Sequence, residues 1–252
     1  MADGDTTLTS VERAFAVVDY LREVESAGVT EVARGLDIPT STAHTHLTTL
    51  EQLGYIVKRD GSYYVGLRFL ELGESARNRR DIYDLARGEV EQLANETGEL
   101  VGVMIEEHGQ GVYLHRSRGD QVALADTRAG RHVNLHSRAA GKSILAHLPD
   151  GRIAEIIDQH GLPRETDKTI TSRDELEAEL ATIREDGYAI DDGEQLEGLR
   201  CVAAPIVSDG NPVGAISVSG PKGRIRGDRF RDELPELVTS TANVIEVNIS
   251  YS

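Results

Sequence analysis

The sequence predicts an α+β protein, with an N-terminal winged helix-turn-helix and a larger mixed domain built on an antiparallel sheet. Three observations predict it. Over residues 29–66 a short helical stretch, the turn Leu36-Asp37-Ile38-Pro39, a Ser/Thr/His-rich helix and a Gly-turned hairpin follow one another. Beyond them the chain runs through strands, then helices, then strands again, an order that suits an antiparallel sheet with segregated helices. At 252 residues it is long enough for two domains, each with its own core. The expected partition is 1–66 for the winged helix, 67–80 for a linker helix and 81–252 for the second domain.

Thr9 and Glu12 have capping-box spacing. Ala14, Val17, Val18, Leu21 and Val24 recur at helical intervals, which predicts a first helix over 10–26 that Gly28 ends. Residues 29–35 add one or two turns with Val32 and Leu36 facing inward, and Asp37 to Pro39 force the chain out of helical geometry. A third helix starts at Thr40. At about 100° per residue, Ala43, Leu47, Leu50 and Leu53 share one face, and Ser41, His44, Thr45, Thr48 and Gln52 share the opposite one. Such a stretch sacrifices helix propensity. It is either a plain solvated face or a face whose short hydrogen-bonding side chains meet base edges and phosphates in a DNA groove.

The hairpin weighs on the second side. Tyr55-Ile56-Val57 and Tyr63-Tyr64-Val65 flank Lys58-Arg59-Asp60-Gly61-Ser62, in which Asp-Gly supplies the tight turn and two adjacent cations sit near the tip. The residues expected at a double-stranded DNA surface are Thr40, Ser41, Thr42, His44, Thr45, Thr48, Lys58 and Arg59. The following cluster Arg77, Arg79 and Arg80 is either a further basic patch near that face or a chance run of surface cations.

The net charge of −16 opposes this reading, because phosphate contacts need Lys and Arg. Only four lysines occur (Lys58, Lys142, Lys168, Lys222), and the acidic surplus is spread along the chain. Such dispersed acidity matches proteins of salt-loving organisms, where screening acts within about 3 Å at 1 M salt. The charge then describes the solvent and not the partner. No apolar run approaches the roughly 20 residues that span a bilayer, and the acidic, Thr-rich start is unlike a signal peptide, so a cytoplasmic protein without a membrane partner is expected. The single Cys201 excludes an internal disulfide and a cysteine-based metal cluster.

In the larger domain, Leu67, Leu70 and Leu72, then Ile82, Leu85, Ala86, Val90 and Leu93, predict a linker helix feeding a second helix up to about residue 97. Strands are expected over 100–107, 110–117 and 121–127, the first two joined at His108-Gly109. Helices are expected over 137–148, 152–160 and, from the Ser172/Glu175 capping box, to 186. Strands return over 188–190, 201–208 and 213–219, and a closing helix covers 228–247.

Catalysis has no supported constellation here, and no catalytic residue, metal or cofactor is assigned. Ala140-Gly141-Lys142-Ser143 resembles the end of a phosphate-binding loop, yet that pattern needs glycine where His136 stands, and no strand leads directly into it. His132 and His136 are better read as surface or core residues than as ligands. Cys201 opens an apolar strand, where a buried thiol is ordinary, and no histidine is placed to activate it.

A small-ligand pocket has more to recommend it. Ala139-Ala140-Gly141 are small residues at a helix start, where backbone N–H groups favour an anion. Ser217 and Ser219 point to the same side of a strand, and Asp191 can accept hydrogen bonds from a ligand hydroxyl. Periodicity alone balances this reading against three unrelated features: tight packing, an exposed Ser-x-Ser and a turn aspartate.

Taken together, the motifs resemble an IclR-family transcriptional regulator. The matching segments are Ser41-Thr42-Ala43-His44 with Leu47, Thr49-Leu50 and Leu53-Gly54-Tyr55; Gly130 with Ala139 to Ala146; Gly187-Tyr188-Ala189 with Asp191-Asp192-Gly193-Glu194; Gly198 to Pro205; and Ser217-Val218-Ser219-Gly220-Pro221. Each is weak alone, but their order over nearly the whole chain is specific. The resemblance implies a dimerising winged helix, a C-terminal effector-binding domain of GAF-like fold, and a homodimer or dimer of dimers. It also implies a pocket for an organic, sugar or aromatic acid, lined by Val133, Ala139, Ala140, Asp191, Cys201, Ser217 and Ser219.

The chain departs from the family pattern at Thr45, where many relatives place arginine, at Asn134, where proline is common, and at Arg138. Arg138 either adds a bidentate carboxylate contact or faces solvent. The mechanism implied is allosteric: a metabolite with different affinity for two quaternary arrangements changes the spacing of paired winged helices. A small-molecule enzyme with an appended helix-turn-helix, and a metabolite sensor acting through protein partners, are the alternatives.

Overall fold

The computed structural model describes residues 7–122 and 128–251. These form two compact units, one ending at Ala76 and the other beginning at Arg77. Among the described residues no helix is long and apolar enough to cross a membrane.

The N-terminal unit comprises α1 (Thr9–Val24), α2 (Val29–Gly35), α3 (Thr40–Gln52), β1 (Ile56–Arg59), β2 (Ser62–Val65) and α4 (Arg68–Asn78), which runs into the second unit. Its core joins Val17 and Leu21 of α1, Val32 and Ala33 of α2, Ala43, Leu47 and Leu50 of α3, and Ala27, Ile56 and Tyr63. The capping box expected at Thr9 is not formed. The helix already starts there, with Leu8 in the cap position and no side-chain cap bond. It stops at Val24, where Glu25 takes φ 67°, so the left-handed residue precedes Gly28. Val24 and Leu53, placed on buried faces by periodicity, are exposed because Val24 is the last residue of α1 and Leu53 caps the end of α3, both past the packed segment. Ala27 exchanges backbone hydrogen bonds with Tyr63 (2.9 and 3.2 Å), attaching the α1–α2 loop to the hairpin. The hairpin turns at Asp60 (φ 48°) and Gly61 (φ 84°), the two positive φ values that a type I′ turn requires.

The second unit comprises α5 (Asp81–Thr97), β3 (Leu100–Glu107), β4 (Gln110–Arg118), β5 (His132–Val133), α6 (Ala139–His147), α7 (Asp150–His160), α8 (Arg173–Asp186), β6 (Ala189–Asp191), β7 (Leu199–Ser208), β8 (Asn211–Pro221), a π-helical turn (Arg229–Glu233) and α9 (Leu234–Ser250). The strands form one antiparallel sheet in the order β5-β4-β3-β8-β7-β6. One face packs on α5 and α9 through Val101, Val103, Val202, Ile216 and Val218. The other packs on α6, α7 and α8 through Met104, Tyr113, Cys201, Ala203 and Ala215. Strand alternation thus splits the domain into two apolar cores with the sheet between them.

Two expectations change here. Gln121 lies in a turn and Val122 in no regular element, and the remainder of the expected strand, 123–127, lies outside the described residues. Helix α6 begins at Ala139 and not near 137, because Arg138 is extended (φ −131°, ψ 139°). Gly141 permits the tight entry: a Cβ there would lie 2.1 Å from the Leu135 carbonyl oxygen. The Ser172 cap forms as expected, accepting from the Glu175 amide.

Candidate functional site

In the N-terminal unit, α3 presents Thr40, Ser41, His44 and Thr45 fully outward, with Thr42 and Thr48 half-buried beside them. Ser41, His44, Thr45 and Thr48 follow i, i+3, i+4, i+7 and so form one stripe. Thr45 Oγ1 donates to the Ser41 carbonyl (2.9 Å) and Thr49 Oγ1 to that of Thr45 (2.8 Å), which fixes their rotamers along the helix. Pro39 occupies the cap position and no side chain caps α3, leaving its first amides and their dipole open to an anion. Lys58 and Arg59 are exposed on β1, and the Lys58 ammonium lies 5.1 Å from the Tyr63 ring centre.

The structure adds Arg68, which sequence reasoning missed. Its Nη1 donates to the Leu53 carbonyl at the end of α3, and its guanidinium stacks 4.8 Å above the Tyr55 ring, which itself meets Phe69. A cation on the last carbonyl of a helix complements its dipole, so α4 is tied directly to α3. The Arg77 and Arg80 cations do not add to a basic patch. Arg80 pairs with Glu107 and Arg77 stacks on Tyr83, both inside the second unit.

In the second unit, all seven sequence-derived pocket residues are buried. Register explains how they meet. Leu100, Ser219, Cys201 and Asp191 lie side by side across β3, β8, β7 and β6, and the neighbouring row holds Gly102, Ser217, Ala203 and Ala189. Directly paired residues share a face, and this face is the one under α6, where Ala139 and Ala140 form the first turn and Val133 of β5 closes one side. The Cys201 thiol contacts the Ser219 hydroxyl, and Ser217 Oγ lies 3.4 Å from the Gly102 carbonyl oxygen.

Asp191 is fully buried. Its Oδ1 accepts the Gly193 (3.0 Å) and Glu194 (2.6 Å) amides, while its Oδ2 has no hydrogen-bond partner. Burial, opposed by those amides and by Lys142, raises its carboxyl above the usual range. Its neighbour Asp192 behaves oppositely, because Arg200 grips it (2.7 and 3.2 Å) and Lys222 adds to the pull. Burial, with the charge of Asp191, pushes the Cys201 thiol up to about 12, so it stays protonated and is a poor nucleophile.

Several further residues belong to the cluster. Tyr113 is buried, which raises its hydroxyl. Arg116 stacks 4.5 Å from the Tyr113 ring centre, and both side chains lie over Gly102, where a Cβ would meet them within 3.1–3.3 Å. Arg138 is buried, its Nε without a partner and its Nη2 3.6 Å from Glu165 Oε2. Lys142 is wholly buried and donates to Glu179 (2.8 Å) and Glu194 (2.6 Å). Burial lifts the Glu194 carboxyl to about 7 despite that cation. The local sequence gave one signal for these, Arg138 as an oddity; the others depend on register and on loop 163–169.

Both candidate metal histidines have other roles. His132 is exposed with Nδ1 3.2 Å from the Gly130 carbonyl oxygen, and His136 is buried with Nε2 3.1 Å from that of Pro163. Among the described residues no group of three or more His, Cys, Asp or Glu side chains converges as a metal site.

Two family descriptions match the chain: the IclR helix-turn-helix domain over residues 10–60, and the bacterial transcriptional regulator IclR C-terminal domain over residues 74–247. A probable HTH-type transcriptional regulator, ArcR, of Halobacterium salinarum is 36% identical over 247 residues, covering 96% of this chain and 94% of that protein. The crystal structure of Thermotoga maritima IclR superposes with a TM-score of 0.78 at 30% identity, over 96% of this chain and 99% of that one. An IclR homologue from Microbacterium hydrocarbonoxydans, solved in complex with 4-hydroxybenzoate, has the same fold (TM-score 0.78, 22% identity, 96% and 100% coverage).

Proposed function

The chain belongs to the IclR family of transcriptional regulators, and from that premise we propose that it binds operator DNA through α3 and the wing and that a small organic acid in the C-terminal cluster modulates that binding. Thr40, Ser41, Thr42, His44, Thr45 and Thr48 enter the major groove, with Lys58 and Arg59 on the flanking phosphates. Val133, Ala139, Ala140, Asp191, Cys201, Ser217 and Ser219 line the effector site. The chain works as a homodimer or a dimer of dimers in the cytoplasm, so that effector binding acts on the spacing of paired winged helices. A homologue of this fold carrying 4-hydroxybenzoate supports an acid as the effector.

The observation that carries the DNA half is the stripe of exposed Ser41, His44 and Thr45 with half-buried Thr48, a polar face whose side-chain hydrogen bonds among the described residues go to its own helix backbone. The test is fluorescence anisotropy with duplex DNA from upstream of the protein's own operon, in molar potassium chloride. Replacing Ser41, His44, Thr45, Lys58 and Arg59 together by alanine is expected to weaken binding by at least about a hundredfold, since each lost base or phosphate contact costs about 1–3 kcal/mol. Equal affinity of the substituted protein would overturn the assignment.

A further inference from the structure

Among the described residues the effector cluster holds three buried polar atoms without a hydrogen-bond partner, the acceptors Asp191 Oδ2 and Glu194 Oε2 and the donor Arg138 Nε; the Glu194 carboxylate is neutralised by Lys142, which leaves Asp191 and Arg138 as the pair of opposite character. Asp191 does its structural work with Oδ1, which winds the 191–194 turn, and Oδ2 is surplus to that turn. Arg138 stands in the cap position of α6 but caps nothing, and its Nε points a donor into buried space with no acceptor. Among the described residues its ion-pair partner is Glu165, which lies 3.6 Å from Nη2, beyond hydrogen-bond range, and spends Oε1 on Ser137 (2.8 Å) and Asn134 (3.1 Å). Nε and Nη2 form one edge of the guanidinium, and with Nη2 turned to Glu165 it is Nε that is left for a ligand acceptor.

The same loop spaces the two atoms. Residues 163–169 hold the Arg138 side through the Glu165 bonds and the His136 contact to the Pro163 carbonyl. They hold the Asp191 side through Thr166 Oγ1, which donates to the Gly193 carbonyl (2.7 Å), and Thr169 Oγ1, which donates to that of Glu194 (2.7 Å). The Cys201 thiol, which contacts the Ser219 hydroxyl, feels the charges of both Asp191 and Arg138, and its strand neighbours Ser219, Ala203 and Ser217 are small. A cation with a spare donor, Arg138 Nε, and a carboxylate with a spare acceptor, Asp191 Oδ2, describe the complement of the ligand: an anion that carries a hydrogen-bond donor.

We infer that the effector is a small hydroxycarboxylate, its carboxylate received by Arg138 Nε and its hydroxyl donated to Asp191 Oδ2. This rests on the reading of the cluster as the effector site and adds which residues select the ligand and by what chemistry.

Three probes with one carbon skeleton separate the contributions: lactate (carboxylate and hydroxyl), pyruvate (carboxylate and keto oxygen) and 1,2-propanediol (hydroxyls only). Calorimetry and thermal shift on the full chain in molar potassium chloride are expected to give lactate at least about tenfold tighter than pyruvate, with no measurable propanediol binding. Arg138→Gln should lose lactate by at least about tenfold, and Arg138→Lys should recover only part, because an ammonium keeps the charge but places no donor at the Nε position. Asp191→Asn should remove or reverse the preference for lactate over pyruvate, its amide being able to donate to a keto oxygen. If Asp191→Asn fails to fold, the Arg138 pair and the wild-type ranking carry the test.

Propanediol binding as well as lactate, pyruvate binding better than lactate, or an Arg138→Gln protein with undiminished lactate affinity each overturns the inference. Silence of all three probes overturns it together with the effector-site reading. Operator binding measured without any probe reports on the DNA half alone, so intact DNA binding with the wrong probe ranking sinks only this inference.

Discussion

Replacing Lys142 by methionine removes the one cation between two carboxylates without changing much volume. Lys142 Nζ donates to Glu179 Oε1 at 2.8 Å and to Glu194 Oε1 at 2.6 Å. Glu179 is partly solvated, but the Glu194 side chain is only 12% exposed, and its Oε2 already lacks a partner. The substitution strands Glu194 with neither oxygen bonded to a donor, and breaking a buried ion pair from one side costs about 3–5 kcal/mol. The cost depends on pH with a definite sign. The Glu194 carboxyl sits at about 7 in the folded protein, above its ordinary range, so its contribution to stability is fully present below about pH 4.5 and is lost as pH rises through the folded value. Lys142 works against this rise, so without it the carboxyl titrates higher still and the loss continues above pH 7. Urea unfolding of the full chain, followed by far-ultraviolet circular dichroism, should therefore show a penalty near the full about 3–5 kcal/mol at pH 8.5 that shrinks toward pH 6. Adding Glu194→Met to Lys142→Met should restore most of it, since an apolar pair leaves no stranded charge. A penalty under about 1 kcal/mol at pH 8.5, or one that does not change with pH, would show that Lys142 does not hold the Glu194 carboxylate in this way.

Further outcomes follow from the same geometry. Lys58→Ala with Arg59→Ala should reduce the slope of log affinity against log salt by about 2, measured by anisotropy over a salt series, because each phosphate contact contributes about 0.9. Cys201, buried with its thiol pushed up to about 12, should resist alkylation in the native protein and react at once in urea, as read by intact-mass spectrometry. Gly141→Ala would drive a Cβ to 2.1 Å from the Leu135 carbonyl oxygen, a backbone atom with little room to yield. The expected loss in urea unfolding is about 1–3 kcal/mol or more.

Much of this is legible in the sequence. In the N-terminal unit, apolar spacing located the three helices, and Asp60-Gly61 located the wing turn, because both signals are local. The misses lie where local signals compete: Thr9 has capping chemistry but Leu8 takes the cap, and Val24 and Leu53 keep the helical period past the point where the core ends. In the larger unit Ser217 and Ser219 were readable as one face, but that Cys201 and Asp191 lie in the same row depends on strand pairing, which only the family resemblance supplied. Arg116 was out of reach because a β-bulge between Val103 and Met104 sets it opposite Gly102. Lys142 looked like part of a nucleotide loop; its carboxylate partners lie 37 and 52 residues away, too far for any local pattern. Arg138 was visible as a departure, and burial decides between its two readings by removing the solvent-facing one.

Under the proposed function the acid site and the DNA face act on one another. The direct measurement is the dissociation constant for operator duplex, with and without a saturating amount of the hydroxycarboxylate that raises the melting temperature most, for wild type and Arg138→Gln. Wild-type affinity should change by at least about fivefold with the acid, and Arg138→Gln should bind the duplex equally with and without it. A wild-type affinity indifferent to a bound acid, or a change that survives in Arg138→Gln, would contradict the account.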